Sequence, residues 1–149
     1  MSCKKYDRRF LNLAQQVSNW SKDPSTRVGA IIVDDDKRVV SMGYNGFARG
    51  VIDNKARLNN RDIKYKLTIH AELNAILFSD KSLVGCTIYT YPFMPCTACA
   101  SVIIQSGISR IVSIETDIER WKSNLDLSRT IIAETGVSLA EYSKNFIKT

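Results

Sequence analysis

Two short stretches hold most of the residues whose types and spacing could do chemistry: His70-Ala71-Glu72 and Pro95-Cys96-Thr97-Ala98-Cys99. The chain has one His and four Cys. Zinc takes Cys and His ligands, and a catalytic zinc keeps three protein ligands plus a water. His70, Cys96 and Cys99 supply three. No second His closes the shell, and acidic residues are poor substitutes in a thiolate-rich site. Cys96 and Cys99 stand three apart, so they share one face of a helix. A helix N-terminus also favours thiolate over thiol. His70 and Glu72 stand two apart and diverge in mid-helix. They converge only on a site lying over a helix end, where Glu72 would be a proton shuttle and not a ligand.

Zinc brings the pKa of its water toward about 7, giving hydroxide at neutral pH. The expected attack is on a ring carbon bearing an exocyclic amine. A neighbouring carboxylate takes the water proton and passes it to the ring nitrogen and the leaving ammonia. An H-x-E stretch followed by P-C-x-x-C is the signature of zinc deaminases. Taken singly, the pieces read otherwise. A lone His is a packed or surface residue, and a lone C-x-x-C is a structural zinc site, a redox pair or an accident. The combination favours catalysis, because a purely structural zinc needs no Glu72 and prefers four ligands.

The elements that must position these residues follow from periodicity. Phe10, Leu13, Ala14, Val17 and Trp20 recur at helical spacing, predicting a helix from about Tyr6 to Ser21. Val28–Val33 and Val39–Tyr44, joined by a polar turn, predict an antiparallel hairpin. The Gly-rich run from Gly43 to Gly50 reads as a loop, and polar Val51–Lys66 as a long connection. A helix is expected near Ile69–Ser79 and a strand over Cys86–Tyr91. Pro95 suits a helix start, and Gly107 suits that helix's C-cap. A strand at Arg110–Ile114, a helix ending at Gly136 and a strand at Val137–Tyr142 complete the order α-β-β-α-β-α-β-α-β. The last crossover spans 22 residues, Glu115–Gly136. A parallel return needs a dozen or more, so the last strand is expected parallel to its predecessor. Strand–helix–strand repeats put helices on both faces of the sheet. The fold class is therefore α/β, a three-layer α-β-α sandwich on a five-stranded mixed sheet.

Length and composition exclude several classes. At 149 residues, one domain over 1–149 is expected. No apolar run approaches the roughly 18 residues of a membrane span, so no membrane partner is expected. No apolar stretch follows the basic N-terminal residues. The expectation is a reducing cytoplasm, or the host cytoplasm for a phage protein, in which Cys96 and Cys99 stay unpaired. Cys3 and Cys86 read as a tail thiol and a small buried hydrophobe, and Trp20 and Trp121 as core. The net charge of +6 favours anionic partners. It shows no basic stripe with interleaved aromatics, so nucleic acid is not the expected partner.

With these residues in hand, the chain resembles the deoxycytidylate (dCMP) deaminases of the cytidine deaminase-like superfamily. The resemblance runs from about Trp20 to Tyr142. It rests on His70–Ile76, Pro95–Cys99, Lys22–Ala30, Gly43–Gly46, Ile103–Ile108 and the run Arg120-Trp121-Lys122, which looks like the bacterial and phage-like branch. It implies that His70, Cys96 and Cys99 hold Zn2+ and that Glu72 shuttles the proton. It implies that Asn45 bonds the sugar hydroxyl and that the Ala71 backbone N–H reads the cytosine edge. Arg27 is a candidate for the 5′-phosphate from its charge and position, and equally reads as a solvated Arg before a strand. Lys and Arg within Lys55–Lys66 are further candidates. In several members the loop matching Gly43, Tyr44 and Gly46 joins an allosteric site for dCTP and dTTP in a hexamer, so a homo-oligomer and these effectors are implied. The sequence departs from the family at Ala48, where many members have Pro. It also has no Cys or His over residues 47–69 for a second zinc site. The expected reaction is dCMP to dUMP plus ammonia. Alternatives are another base carrier (dCTP, cytidine or tRNA adenosine) or a zinc-stabilised nucleic-acid binding module.

Overall fold

The structure is a computed structural model and describes residues 4–148. Helix α1 (Lys4–Ser18) precedes a hairpin of β1 (Gly29–Val33) and β2 (Val39–Tyr44). A two-residue strand β3 (Gly46–Phe47), short helices α2 (Lys55–Asn59) and α3 (Arg61–Leu67), and strand β4 (Thr68–Ile69) follow. The remainder runs α4 (Ala71–Leu77), β5 (Thr87–Tyr91), α5 (Thr97–Gln105), β6 (Arg110–Ile114), α6 (Glu119–Thr135) and β7 (Ser138–Tyr142). A 3-10 turn at Phe146–Lys148 closes the described chain.

Five strands make one sheet in the order β2-β1-β5-β6-β7. β1 is antiparallel to both β2 and β5, with Ile31 opposite Met42 and Tyr89. β5, β6 and β7 are parallel, with Ile111 opposite Ile88 and Leu139. The last strand is parallel to its predecessor, as its long crossover requires.

All five residues of β1 are buried, because successive side chains enter opposite layers. Ile31 and Val33 join Leu11, Ala14, Val17, Tyr89, Val112 and Ile114 beneath α1. Ala30 and Ile32 join Ala71, Ala75, Ile88, Ala100, Ile103 and Ile132 beneath α4, α5 and α6. This is the expected three-layer sandwich. Two glycines allow close approach between layers. A Cβ on Gly29 would meet the Ala14 carbonyl of α1. One on Gly43 would lie 2.5 Å from Ala75 N and 2.6 Å from Ala71 O.

Three expectations need correction. α1 ends at Ser18, where the chain turns, with Ser21 N donating to Ser18 O at 3.1 Å. Trp20 therefore leaves the apolar stripe and stands 53% exposed, edge-on to Tyr44. The stretch Val51–Lys66 is not plain connection. Asn54 and Asn60 each cap a short helix, their Oδ1 atoms accepting from Arg57 N and Ile63 N at 2.9 and 3.1 Å. The glycine-rich loop also contributes β3, which pairs with β4. Trp121 packs against the core cluster, and Cys86 is buried. Cys3 lies outside the described residues. No helix among the described residues is long and apolar enough to cross a membrane.

Candidate active site

His70 and Cys96 occupy equivalent places. Each is the N-cap of a helix, extended in backbone, with no side-chain cap bond of its own. A residue at this position projects its side chain over the helix start. Two separate elements thus aim ligand atoms at one point. Cys99 follows within the first turn of α5 and is fully buried. Pro95 lies just before the N-cap, two places ahead of the first helical residue, Thr97.

His70 Nδ1 lies 3.2 Å from Cys99 Sγ and 3.6 Å from Cys96 Sγ. The three ligand atoms all fall within 4.8 Å of one another. Tetrahedral zinc with ordinary Zn–N and Zn–S bonds would place nitrogen and sulfur about 3.5 Å apart. The donor set therefore fits zinc in type, number and spacing. Its charges point the same way. The Cys96 thiol is pulled down to about 4 by hydrogen bonding from the Cys99 thiol and from His70, against the opposing effect of burial. Cys99 is pushed up by the Cys96 sulfur and by burial. Two thiolates so close repel unless a cation sits between them.

Glu72 is the second residue of α4 and is 4% exposed. Burial pushes its carboxyl up to about 7, only partly offset by its own backbone N–H and by His70. Among the described residues no other side chain hydrogen-bonds it. His70 is raised by its hydrogen bond with Cys96, and Glu72 adds to the effect.

These groups share the wall of a cavity of about 680 Å³, within the usual size range of small-molecule sites. His70, Ala71, Glu72 and Cys96 line it, Ala71 being the first residue of α4. Asn45 also lines it and is nearly buried. Its Oδ1 accepts from Val28 N and its Nδ2 donates to the Thr26 carbonyl, both at 2.9 Å. One N–H and one lone pair of the amide remain for a ligand.

Asp23 and Lys64 line the same cavity as a buried pair, Nζ to Oδ1 2.9 Å. This pair ties α3 to the segment before β1. Exposed Arg61 and Tyr65 of α3 and exposed Arg120 of α6 complete its solvent side. Arg61 lies over the Tyr65 ring and Arg120 over the Trp121 ring, at 5.0 and 4.8 Å.

The structure does not bring every candidate together. Arg27 is exposed, is not among the lining residues, and donates from Nε to the Asp23 carbonyl at 3.2 Å. From the Lys55–Lys66 stretch, Arg61 and Lys64 reach the cavity. Gly43 is buried against α4, and Tyr44 is exposed. Tyr44 and Gly46 line a smaller cavity of about 150 Å³ with Lys22, Phe47 and Asp53. Tyr65, Arg120 and Asn124 were not expected in the lining. α3 follows from no apolar periodicity, although the Asn caps of α2 and α3 were legible signals; the apolar face of α6 was legible, but its polar members Arg120 and Asn124 carry no pattern of their own.

The fold is that of a solved structure of dCMP deaminase from the cyanophage S-TIM5 in complex with dCMP and dUMP. The two match with a TM-score of 0.71 at 21% identity, over 95% of this chain and 98% of that one. The donor set of one His and two Cys beside a buried carboxyl is that of a hydrolytic zinc site. A sequence profile described as cytidine and deoxycytidylate deaminase zinc-binding region matches residues 4–115, and the chain belongs to that family. Among relatives, an uncharacterized deaminase in the luxG 3′ region of Aliivibrio fischeri is 42% identical over 97% of this chain and 98% of its own length. Deoxycytidylate deaminase of Mus musculus is 34% identical over 99% of this chain and 89% of its own.

Proposed function

We propose that the protein deaminates dCMP hydrolytically to dUMP and ammonia, as one zinc-dependent deaminase domain over residues 1–149. The observation that carries this reading is the buried Glu72 carboxyl beside the His70–Cys96–Cys99 donor set in a nucleotide-sized cavity. His70 Nδ1 and the two Sγ atoms hold the metal. Zinc bound there lowers the pKa of water and so supplies a nucleophile near neutral pH. Glu72 takes a proton from the attacking water and gives it to the ring nitrogen. It then carries the second water proton to the departing amine. One water is consumed, the C–N bond at the ring carbon breaks, and ammonia leaves. A buried carboxyl that no other described side chain hydrogen-bonds is free to take up and return that proton.

The Ala71 N–H is one of the unpartnered donors at a helix start and is assigned to the cytosine edge. Asn45 is assigned to the sugar hydroxyl through its remaining amide hydrogen and lone pair. Arg61 and Arg120, on the solvent side of the cavity, suit the 5′-phosphate, with Arg27 as a third candidate outside the lining. The relatives named deoxycytidylate deaminase and the cyanophage complex support dCMP as substrate. The same reading assigns Gly43, Tyr44 and Gly46 to a dCTP or dTTP effector site; Tyr44 and Gly46 line the smaller cavity, and Gly43 does not. It also makes the chain a cytoplasmic homo-oligomer, in the manner of a hexamer. Exposed Trp20, Met42 and Tyr44 on and beside edge strand β2 support an interface.

The test is a panel of dCMP, CMP, dCTP and deoxycytidine scored by ammonia release and by the cytosine-to-uracil absorbance change. The expected outcome is fastest turnover of dCMP. Zinc-loaded protein that releases no ammonia from any of them overturns the reading. Replacing Arg61, Arg120 or Arg27 by Ala should raise KM for dCMP more than for deoxycytidine at whichever position holds the phosphate.

A further inference from the structure

We infer that Asn124 and Ser128 of α6 are positioning residues for the zinc-bearing segment, with Asn124 acting as a helix cap supplied from another helix. The inference rests on the proposed zinc site. It begins with a conflict at Cys96. N-cap positions favour Ser, Thr, Asp or Asn, whose side chains satisfy orphan N–H groups. A ligating cysteine gives that up, and Cys96 makes no cap bond. The first helical donor, Thr97 N–H, which an N-cap side chain does not reach, is met by Asn124 Oδ1 at 3.0 Å. The Asn124 amide is itself oriented, because Nδ2 donates to Thr97 Oγ1 at 3.2 Å.

One stripe of α6 repeats the arrangement along the segment. Trp121 packs edge-on to Phe93, with ring centroids 4.5 Å apart. Ser128 Oγ, buried, donates to the Pro95 carbonyl at 2.8 Å. Residues 121, 124 and 128 lie on one helical face, and they hold residues 93, 97 and 95. Cys96 is thus pinned on both sides by α6, while His70 arrives from β4 and α4. The match to the deaminase family profile ends at residue 115, so this support comes from the chain beyond it. Partners that orient metal ligands typically change metal affinity or activity by roughly 10–100-fold when removed.

The experiment measures zinc affinity by chelator competition, and the absorption spectrum of the cobalt-substituted protein, for wild type, Asn124→Ala, Asn124→Asp and Ser128→Ala. Asn124→Ala is expected to weaken zinc roughly tenfold or more and to shift the cobalt thiolate bands. Asn124→Asp keeps an acceptor for Thr97 N–H and should restore most of both. Ser128→Ala should shift them in the same direction, by less. The metal-free Asn124→Ala protein should melt within a few degrees of metal-free wild type. Zinc affinity within twofold of wild type and an unchanged cobalt spectrum in Asn124→Ala overturn the inference. So does a zinc loss matched by collapse of the metal-free fold. Failure of the deaminase reading shows differently, as wild-type protein that binds zinc and releases no ammonia.

Discussion

Asp7 and Glu72 are both buried carboxylates on helices, and they are treated in opposite ways. Asp7, in α1, has no exposed surface. Arg110 meets both its oxygens at 2.8 and 2.7 Å, and the hydroxyls of Tyr89 and Tyr142 add bonds of 3.1 and 2.6 Å. Burial alone would raise this carboxyl, but the bonds from Arg110, Tyr142 and Tyr89 outweigh it and hold it below the ordinary value. Glu72 has burial without those partners, so it is raised. Asp7 is fixed in one charge state and serves as a joint between α1, β5, β6 and β7. Glu72 is left able to gain and lose a proton. The difference lies in the surroundings and not in the residue type.

The sharpest way to break this contrast is Glu72→Gln. It should retain about one zinc per chain yet lose roughly a thousandfold in kcat. Metal analysis beside an ammonia assay checks both halves, and near-normal turnover would remove Glu72 from its role. Next comes Asp7→Asn, which removes the charge that takes two bonds from Arg110 in a largely buried site. A loss of about 3 kcal/mol in unfolding free energy is expected by denaturant titration, with kcat per folded molecule unchanged. The same variant tests the sign of the charge argument. A carboxyl held low in the folded chain stabilises it above the unfolded Asp value of about 3.9, and that gain disappears as pH falls through the lower folded value. The melting temperature of wild type should therefore drop below about pH 4, and that limb should flatten in Asp7→Asn. The smallest effect belongs to Tyr142→Phe. Loss of one hydroxyl to Asp7 should cost about 1–2 kcal/mol and leave zinc content untouched.

The two regions also differ in how far the sequence reveals them. His70, Glu72, Cys96 and Cys99 were legible because helix starts bring them together at spacings of two and three. The parallel β7 was legible from the length of its crossover. Asp7, Tyr89, Arg110 and Tyr142 carry no such signal, since the fold joins them over separations of 82, 103 and 135 residues. The Asp23–Lys64 pair and the cavity cations Arg61 and Arg120 are of the same kind. Trp20 misled because helical periodicity continues past a turn that only tertiary contacts decide.

The bare α-carbon of Gly43 carries a consequence for any attempt to redesign this enzyme. Edge strand β2 rests directly on the backbone of Ala71 and Ala75, one residue before and three residues after Glu72 in α4. Even one methyl there would have to wedge strand and helix apart. The helix that moved would carry His70 and Glu72 with it, while Cys96 and Cys99 stayed behind on α5. Position 43 is in effect the shim that sets the alignment of the two halves of the metal centre, although it touches neither the ligands nor the cavity.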